Sequence, residues 1–148
     1  MGNIQNNLWK YNQNFSFLHL CKETHINDKA ESSLFQGTVI ENNTWENVSI
    51  SNSDLEATRI IHTTIKDSTF ANTDIHSLIV TNSNFYNVSF QSADITDCTF
   101  IDCQFINCSF EEAVLKDSEF INCILKKPLF FKGSYLMNSF SKCTFKDT

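Results

Sequence analysis

Glycine is nearly missing from this chain, three residues in 148, so whatever turns it makes are built from other side chains. Positive charge is also scarce: eleven Lys and Arg against seventeen Asp and Glu leave −6 at pH 7, which argues against nonspecific binding to nucleic acid or anionic membranes. No apolar run is long enough to span a membrane. The start, Met1-Gly2-Asn3-Ile4, lacks the basic region, long apolar core and cleavage site of a secretory signal, so a cytoplasmic home is expected. The same start offers Gly2 for N-myristoylation, but Asn6 stands where that motif takes Ser or Thr, and no lipidation is expected. There is no Gly-rich phosphate loop, no His-Glu-X-X-His and no nucleophile elbow. His19, His25, His62 and His76 are scattered. No enzyme and no cofactor are expected.

What the chain does have is a register. Every fifth residue from Phe35 to Phe145 is apolar without exception, among them Trp45, Ile60, Phe85, Phe100, Phe120 and Tyr135. In a chain 41% hydrophobic, twenty-three consecutive hits have a chance of roughly one in a billion, so this is an internal repeat. A helix advances about 100° per residue, and five-residue spacing would scatter these side chains around it. A continuous strand fails as well, because an odd spacing alternates faces. A short extended segment followed by a corner, repeated, keeps the marked residue inward, and four such sides close a square.

The other positions agree. Two residues before each central one stand small side chains such as Ser33, Thr38, Thr58, Ser83, Ala93, Cys98, Cys123 and Cys143, which share the inward face of an extended segment. Two residues after it stand mostly Asn or Asp, as at Asn42, Asn52, Asp67, Asn87, Asp97, Asp117 and Asn122; these are the expected corners.

In units such as Ala93-Asp94-Ile95-Thr96-Asp97 and Asn107-Cys108-Ser109-Phe110, the chain resembles the pentapeptide-repeat family over positions 31 to 147. That resemblance implies an all-β fold, a right-handed quadrilateral β-helix with about twenty residues per coil and five to six coils. Residues 1–32 leave the pattern, with Lys10, His25 and Ala30 at in-phase positions, and are expected to cap a solenoid over 33–148; Phe15 and Leu20 do fall in phase, so one imperfect coil is an alternative there. Leu78, next to Ile79, breaks the small-residue rule and predicts a distorted corner near 76–80.

Five of six cysteines, Cys98, Cys103, Cys108, Cys123 and Cys143, occupy the small inward position and read as buried, reduced filler. A straight buried ladder does not converge on a tetrahedral ion, so no metal site is expected.

With twenty residues per coil, the surface can be mapped from the sequence. Asp54, Asp74 and Asp94 form an outward ladder, with Glu56, Asp97 and Asp117 on the same face. From Glu41 to Glu119 thirteen acidic residues face Arg59, Lys66 and Lys116, a net of −10, over a length of roughly 19 Å at strand spacing. Duplex DNA of that length carries about eleven phosphates. Beyond position 120 the sign reverses, with Lys126, Lys127, Lys132, Lys142 and Lys146 against Asp147, and outward positions become apolar: Ile124, Leu129, Phe131, Leu136 and Met137. An apolar patch at the end of a solenoid points to an interface, here a homodimer through the C-terminal coil, against a local bulge at 126–133 that folds these residues back.

Two functions remain open. Some pentapeptide-repeat proteins bind DNA gyrase or topoisomerase IV, and the resemblance implies a DNA mimic whose ridge, Asp54, Glu56, Asp74, Asp94, Asp97 and Asp117, enters a type II topoisomerase. The alternative is an interaction scaffold, such as an immunity protein or a secretion-system effector, docking a protein partner through the C-terminal tip. Neither involves direct contact with nucleic acid or a membrane.

Overall fold

The backbone turns at every fifth residue. In the computed structural model, which describes residues 3–6 and 8–147, each fifth residue from Asn12 to Asp147 has φ between +47° and +64°. Met1 and Gly2, on which the lipidation reading turns, lie outside the described residues. This left-handed conformation costs an ordinary L-residue about 1–2 kcal/mol. Asn and Asp, whose short polar side chains tolerate it, hold most of the corners, and glycine holds only Gly37. Phe17, Lys22, Ala57, Glu112 and Met137 nevertheless adopt the same φ, so the fold imposes the corner even where the residue does not favour it.

Between corners run short strands, each paired in parallel with the segment twenty residues further on, as Thr64–Lys66 with Asn84–Tyr86 and Asp74–His76 with Asp94–Thr96. They gather into parallel sheets of eight, seven and four strands. Isolated bridges from Lys29 through Ser49, Thr69, Ser89 and Ser109 to Leu129 supply the fourth side. The result is an all-β solenoid of about six turns.

The central residues fill the interior as columns. Phe70, Phe90 and Phe110 stack with centroids 5.1 Å apart, and Phe100, Phe120 and Phe140 at 4.7 Å, in the range of attractive ring contacts. From Phe35 to Leu125 every central residue is buried.

The small inward position does more than fill space. Its hydroxyl or thiol donates to the carbonyl twenty-three residues earlier: Thr38 Oγ1 to Phe15 O at 2.7 Å, Ser118 Oγ to Ile95 O at 3.4 Å, Cys123 Sγ to Phe100 O at 3.3 Å. The serine and threonine oxygens also accept backbone N–H groups twenty residues earlier, as Ser68 from Val48 and Ser83 from Thr63. These peptide groups are enclosed, where an unpaired one costs about 1–3 kcal/mol. A donor of methyl size therefore suits the position better than alanine.

The coil extends further toward the N-terminus than the apolar register alone shows. Asn14 bridges Leu34, His19–Cys21 pairs with Val39–Glu41, and Glu23–Ile26 pairs with Thr44–Glu46. Residues 13–32 thus form a coil in the same register, and the change of pattern at 32/33 is no break in the backbone. Above it, Asn3–Asn6 pairs with Glu23–Ile26, and Trp9 covers the core, its ring 3.8 Å from that of His25.

Two further expectations are corrected. Leu78 distorts nothing: it is 3% exposed, Ser77 keeps the ordinary corner φ, and both flanking strands stay in register. The larger Leu78 sits beside Val80, the smallest central residue of a column that otherwise holds Leu20, Ile40, Ile60, Phe100, Phe120 and Phe140, so local volume is conserved. There is also no bulge at 126–133, because Leu129 bridges Ser109 and Ser134–Leu136 pairs with Val114–Lys116.

The strained corners can be tested directly. Ala57 has φ +57° and makes no use of its methyl in the core. Ala57→Gly should raise the unfolding free energy by about 0.5–1 kcal/mol, the relief of αL strain less the added freedom of the unfolded chain. Urea unfolding of the two proteins side by side measures this; a lower midpoint for the glycine variant would contradict it.

Candidate functional site

The acidic ridge is built by the twenty-residue register. Asp54 bridges Asp74, and Asp74 is the Cα partner of Asp94, so the three carboxylates rise one per coil at strand spacing, about 4.8 Å. Glu56 follows Asp54 on the outer side, while Asp97 and Asp117 occupy corners at the edge of that face, both with positive φ. Side chains of Asp74 and Asp94 are about half exposed, 53% and 48%.

The structure also shows how this charge is held, which spacing alone does not reveal. His76 lies between two rungs, Nδ1 3.2 Å from Asp74 Oδ1 and Nε2 3.2 Å from Asp94 Oδ2. The Thr96 hydroxyl donates to Asp94 Oδ1 at 2.6 Å. Asp54 accepts from the Gln36 amide at 2.9 Å and from the Glu56 backbone N–H at 2.9 Å. Lys116 stands 3.8 Å from Asp117. The ridge is therefore a row of oriented acceptors, with geometry fixed before any partner arrives. Gln36 was missing from the sequence reading, although position 36 stacks over 56 by the same arithmetic. The column ends above Asp94, where Val114 and Ser134 take its place.

The C-terminal tip residues do not form one patch. Ile124 is half-buried in strand Ile124–Lys126, Leu129 lies on the next side, Phe131 beyond it, and Leu136 and Met137 at the following corner. They ring the last coil. The apolar surface that is continuous is the end of the core itself: Leu115, Phe130, Tyr135, Met137, Asn138, Phe140 and Phe145 line a shallow depression of about 320 Å³. Tyr135 partly roofs it, its hydroxyl donating to Phe110 O at 2.7 Å. The ring lies where a side chain on Gly133 would be, within 2.3 Å of an added Cβ, which is the reason for glycine there. Phe140 and Phe145 stay 39% and 44% exposed.

A third cluster lies at the opposite end. Asp28 is fully buried at a small inward position and accepts the backbone N–H groups of Leu8 and Trp9. Its other oxygen meets His25 Nδ1 at 2.6 Å, and His25 Nε2 meets Glu23 Oε2 at 2.7 Å. Both ring nitrogens thus face carboxylates, and the cluster closes the end of the coil with polar groups that are mutually paired.

Three of the inward cysteines, Cys98, Cys103 and Cys108, are inert by environment. Burial pushes the thiols of Cys98 and Cys108 up to about 12; contact with the Cys123 sulfur of the next coil and burial raise Cys103 as well.

The fold is a β-solenoid as in pentapeptide-repeat proteins. The family described as Pentapeptide repeats matches residues 98–127, and the same register continues on both sides of that stretch. Among solved structures, a trypsin-treated variant of QnrB1, a plasmid-mediated fluoroquinolone resistance protein, aligns over 97% of this chain and 82% of its own at TM-score 0.51 and 16% identity. HetL, a pentapeptide repeat protein involved in heterocyst differentiation regulation from the cyanobacterium Nostoc sp. strain PCC 7120, aligns over 96% and 86% at TM-score 0.34 and 8% identity. At its identity the QnrB1 match shows the fold alone. No curated protein matches the sequence.

Thiol accessibility distinguishes the four buried cysteines from the other two. At pH 8 the folded protein should react with iodoacetamide at Cys21 and Cys143, the two partly exposed thiols, while Cys98, Cys103, Cys108 and Cys123 react only as the chain unfolds. Mass spectrometry of the alkylated peptides checks this; prompt labelling of Cys98 or Cys108 would contradict their burial.

Proposed function

We propose that this chain is a non-catalytic binding rod whose acidic ridge acts as a DNA mimic toward a type II topoisomerase, DNA gyrase or topoisomerase IV, in the cytoplasm. The observation that carries the reading is the stack of Asp54, Asp74 and Asp94, three carboxylates in strict register, flanked by Glu56, Asp97 and Asp117. A rigid row of acceptors on a solenoid cannot collapse away from a basic groove, so little ordering cost is added on binding. The net of −10 over residues 41–119 would speed encounter with a positively charged surface. The fold shared with QnrB1, a fluoroquinolone resistance protein, supports the choice of partner as a hypothesis to test.

A second reading rests on a separate observation. Phe140, Phe145 and Met137 leave the end of the core exposed, with Lys132, Lys142 and Lys146 around it. This end suits an end-to-end homodimer, or a scaffold role in which an acidic protein partner docks there. Ile124, Leu129, Phe131 and Leu136 would form the rim of such a contact.

Binding of the purified chain to gyrase and topoisomerase IV across a salt series, with duplex DNA as competitor, tests the first reading. Affinity should fall steeply with salt, DNA should displace the chain, and Asp74→Lys with Asp94→Lys should weaken binding about ten-fold or more. Binding that ignores those substitutions but is lost in Phe140→Ser with Phe145→Ser would transfer the function to the tip. Absence of binding at low salt would overturn the mimic reading for these enzymes.

A further inference from the structure

We propose that His19, Cys21 and Glu41 form a binding site for a divalent zinc-class cation on the outer face of the first two coils. His19 and Cys21 flank Leu20 in strand His19–Cys21, so Leu20 points into the core and both neighbours point outward. Glu41 is the Cα partner of Cys21 in the next coil. His19 Nε2 already stands 2.7 Å from Glu41 Oε2, and one ligand atom from each of the three residues lies within 4.8 Å of the others. The site is reachable from solvent, with the His19 side chain 55% exposed and Glu41 33%.

An imidazole nitrogen, a thiolate sulfur and a carboxylate oxygen are the donors zinc takes, with water in the fourth position. Magnesium and calcium require oxygen donors throughout and fit poorly. At tetrahedral bond lengths of about 2.0–2.3 Å the donor atoms would sit about 3.3–3.6 Å apart. The His19–Glu41 contact has to open by about half an ångström and Cys21 to close by no more than about 1.3 Å, both within reach of side-chain rotation at partly exposed positions.

The set is local. The same two columns carry Arg59, Ile79 and Thr99, and Ile61, Thr81 and Ile101, in later coils, so the three donors converge at this one place among the described residues. Cys21 is also the one cysteine on an outward position. The other five thiols each donate to a carbonyl, whereas the Cys21 thiol makes no hydrogen bond among the described residues and is free to ligate. A cation held here would tie one coil to the next and stabilise that end of the solenoid by mass action. The inference is independent of the ridge and its partner.

The test uses the full chain, reduced, titrated with Zn(II) against a chromophoric chelator and separately with Co(II). One equivalent of metal should bind, and the Co(II) protein should show a thiolate-to-cobalt charge-transfer band. Cys21→Ser should abolish the band and weaken zinc binding by more than about 100-fold, beyond what loss of an outer-shell partner usually costs, with His19→Gln and Glu41→Gln each weakening it at least about 10-fold. Cys143→Ser and His76→Ala, both away from these three residues, should change neither. All five positions are at least partly exposed, and far-UV circular dichroism confirms that each variant is folded. No zinc binding at micromolar metal, or a band that survives Cys21→Ser, would overturn the proposal, as would loss of binding in Cys143→Ser or His76→Ala.

Discussion

A left-handed residue at every fifth position is the constraint on which this molecule depends. It sets the length of each side, and with it which residues face inward, which peptide groups meet the next coil and which side chains stack outside. The same constraint explains the composition. Asn and Asp replace glycine at corners because they accept the conformation without the entropy that glycine gives up on folding. Ser, Thr and Cys occupy the position two residues before the central one because a small donor there reaches the enclosed carbonyl of the preceding coil.

The columns that follow from this register have different consequences inside and outside. Inside, identical spacing stacks like on like, and the phenylalanine columns gain ring contacts as well as burial. Outside, stacking like on like brings carboxylates together, where the register alone would set like charges side by side. The ridge is sustained because each rung has its own partner: Gln36 and a backbone N–H at Asp54, His76 at Asp74, and His76 with Thr96 at Asp94. At the two ends the column of centres gives way, to a paired polar cluster around His25 and Asp28 and to the half-covered ring surface of Phe140 and Phe145.

From Phe35 to Phe145 the fold could be read from the sequence, since each central residue is apolar and each repeat states the same geometry. The coil at 13–32 could be read only in part, from Phe15 and Leu20. There His25 takes a central position and Asp28 a small one, and their burial is made tolerable by hydrogen bonds to Glu23, Leu8 and Trp9 that no periodicity announces. Leu78 misled for a related reason: compensation by Val80 is a property of packed volume, not of pattern. Of the candidate ridge, the stacking of Asp54, Asp74 and Asp94 followed from counting by twenty, and so would that of Cys21 over Glu41. The side-chain rotations that put His76 between two carboxylates, or fold Tyr135 over Gly133, required coordinates. The tip residues were legible as exposed but not as separated, because their spacing of five or so carries them around the coil.

The most direct measurement is a comparison of two internal deletions. Removing residues 74–93 takes out one whole coil and joins Thr73 to Asp94, which preserves every column. Removing 75–92 shifts all later residues by two and turns the downstream phenylalanines out of the core. Circular dichroism and urea unfolding should show the first variant folded and cooperative, with only modest loss of stability, and the second disrupted beyond the junction. If the two deletions behaved alike, the twenty-residue register would not be what holds the core, the corners and the ridge together.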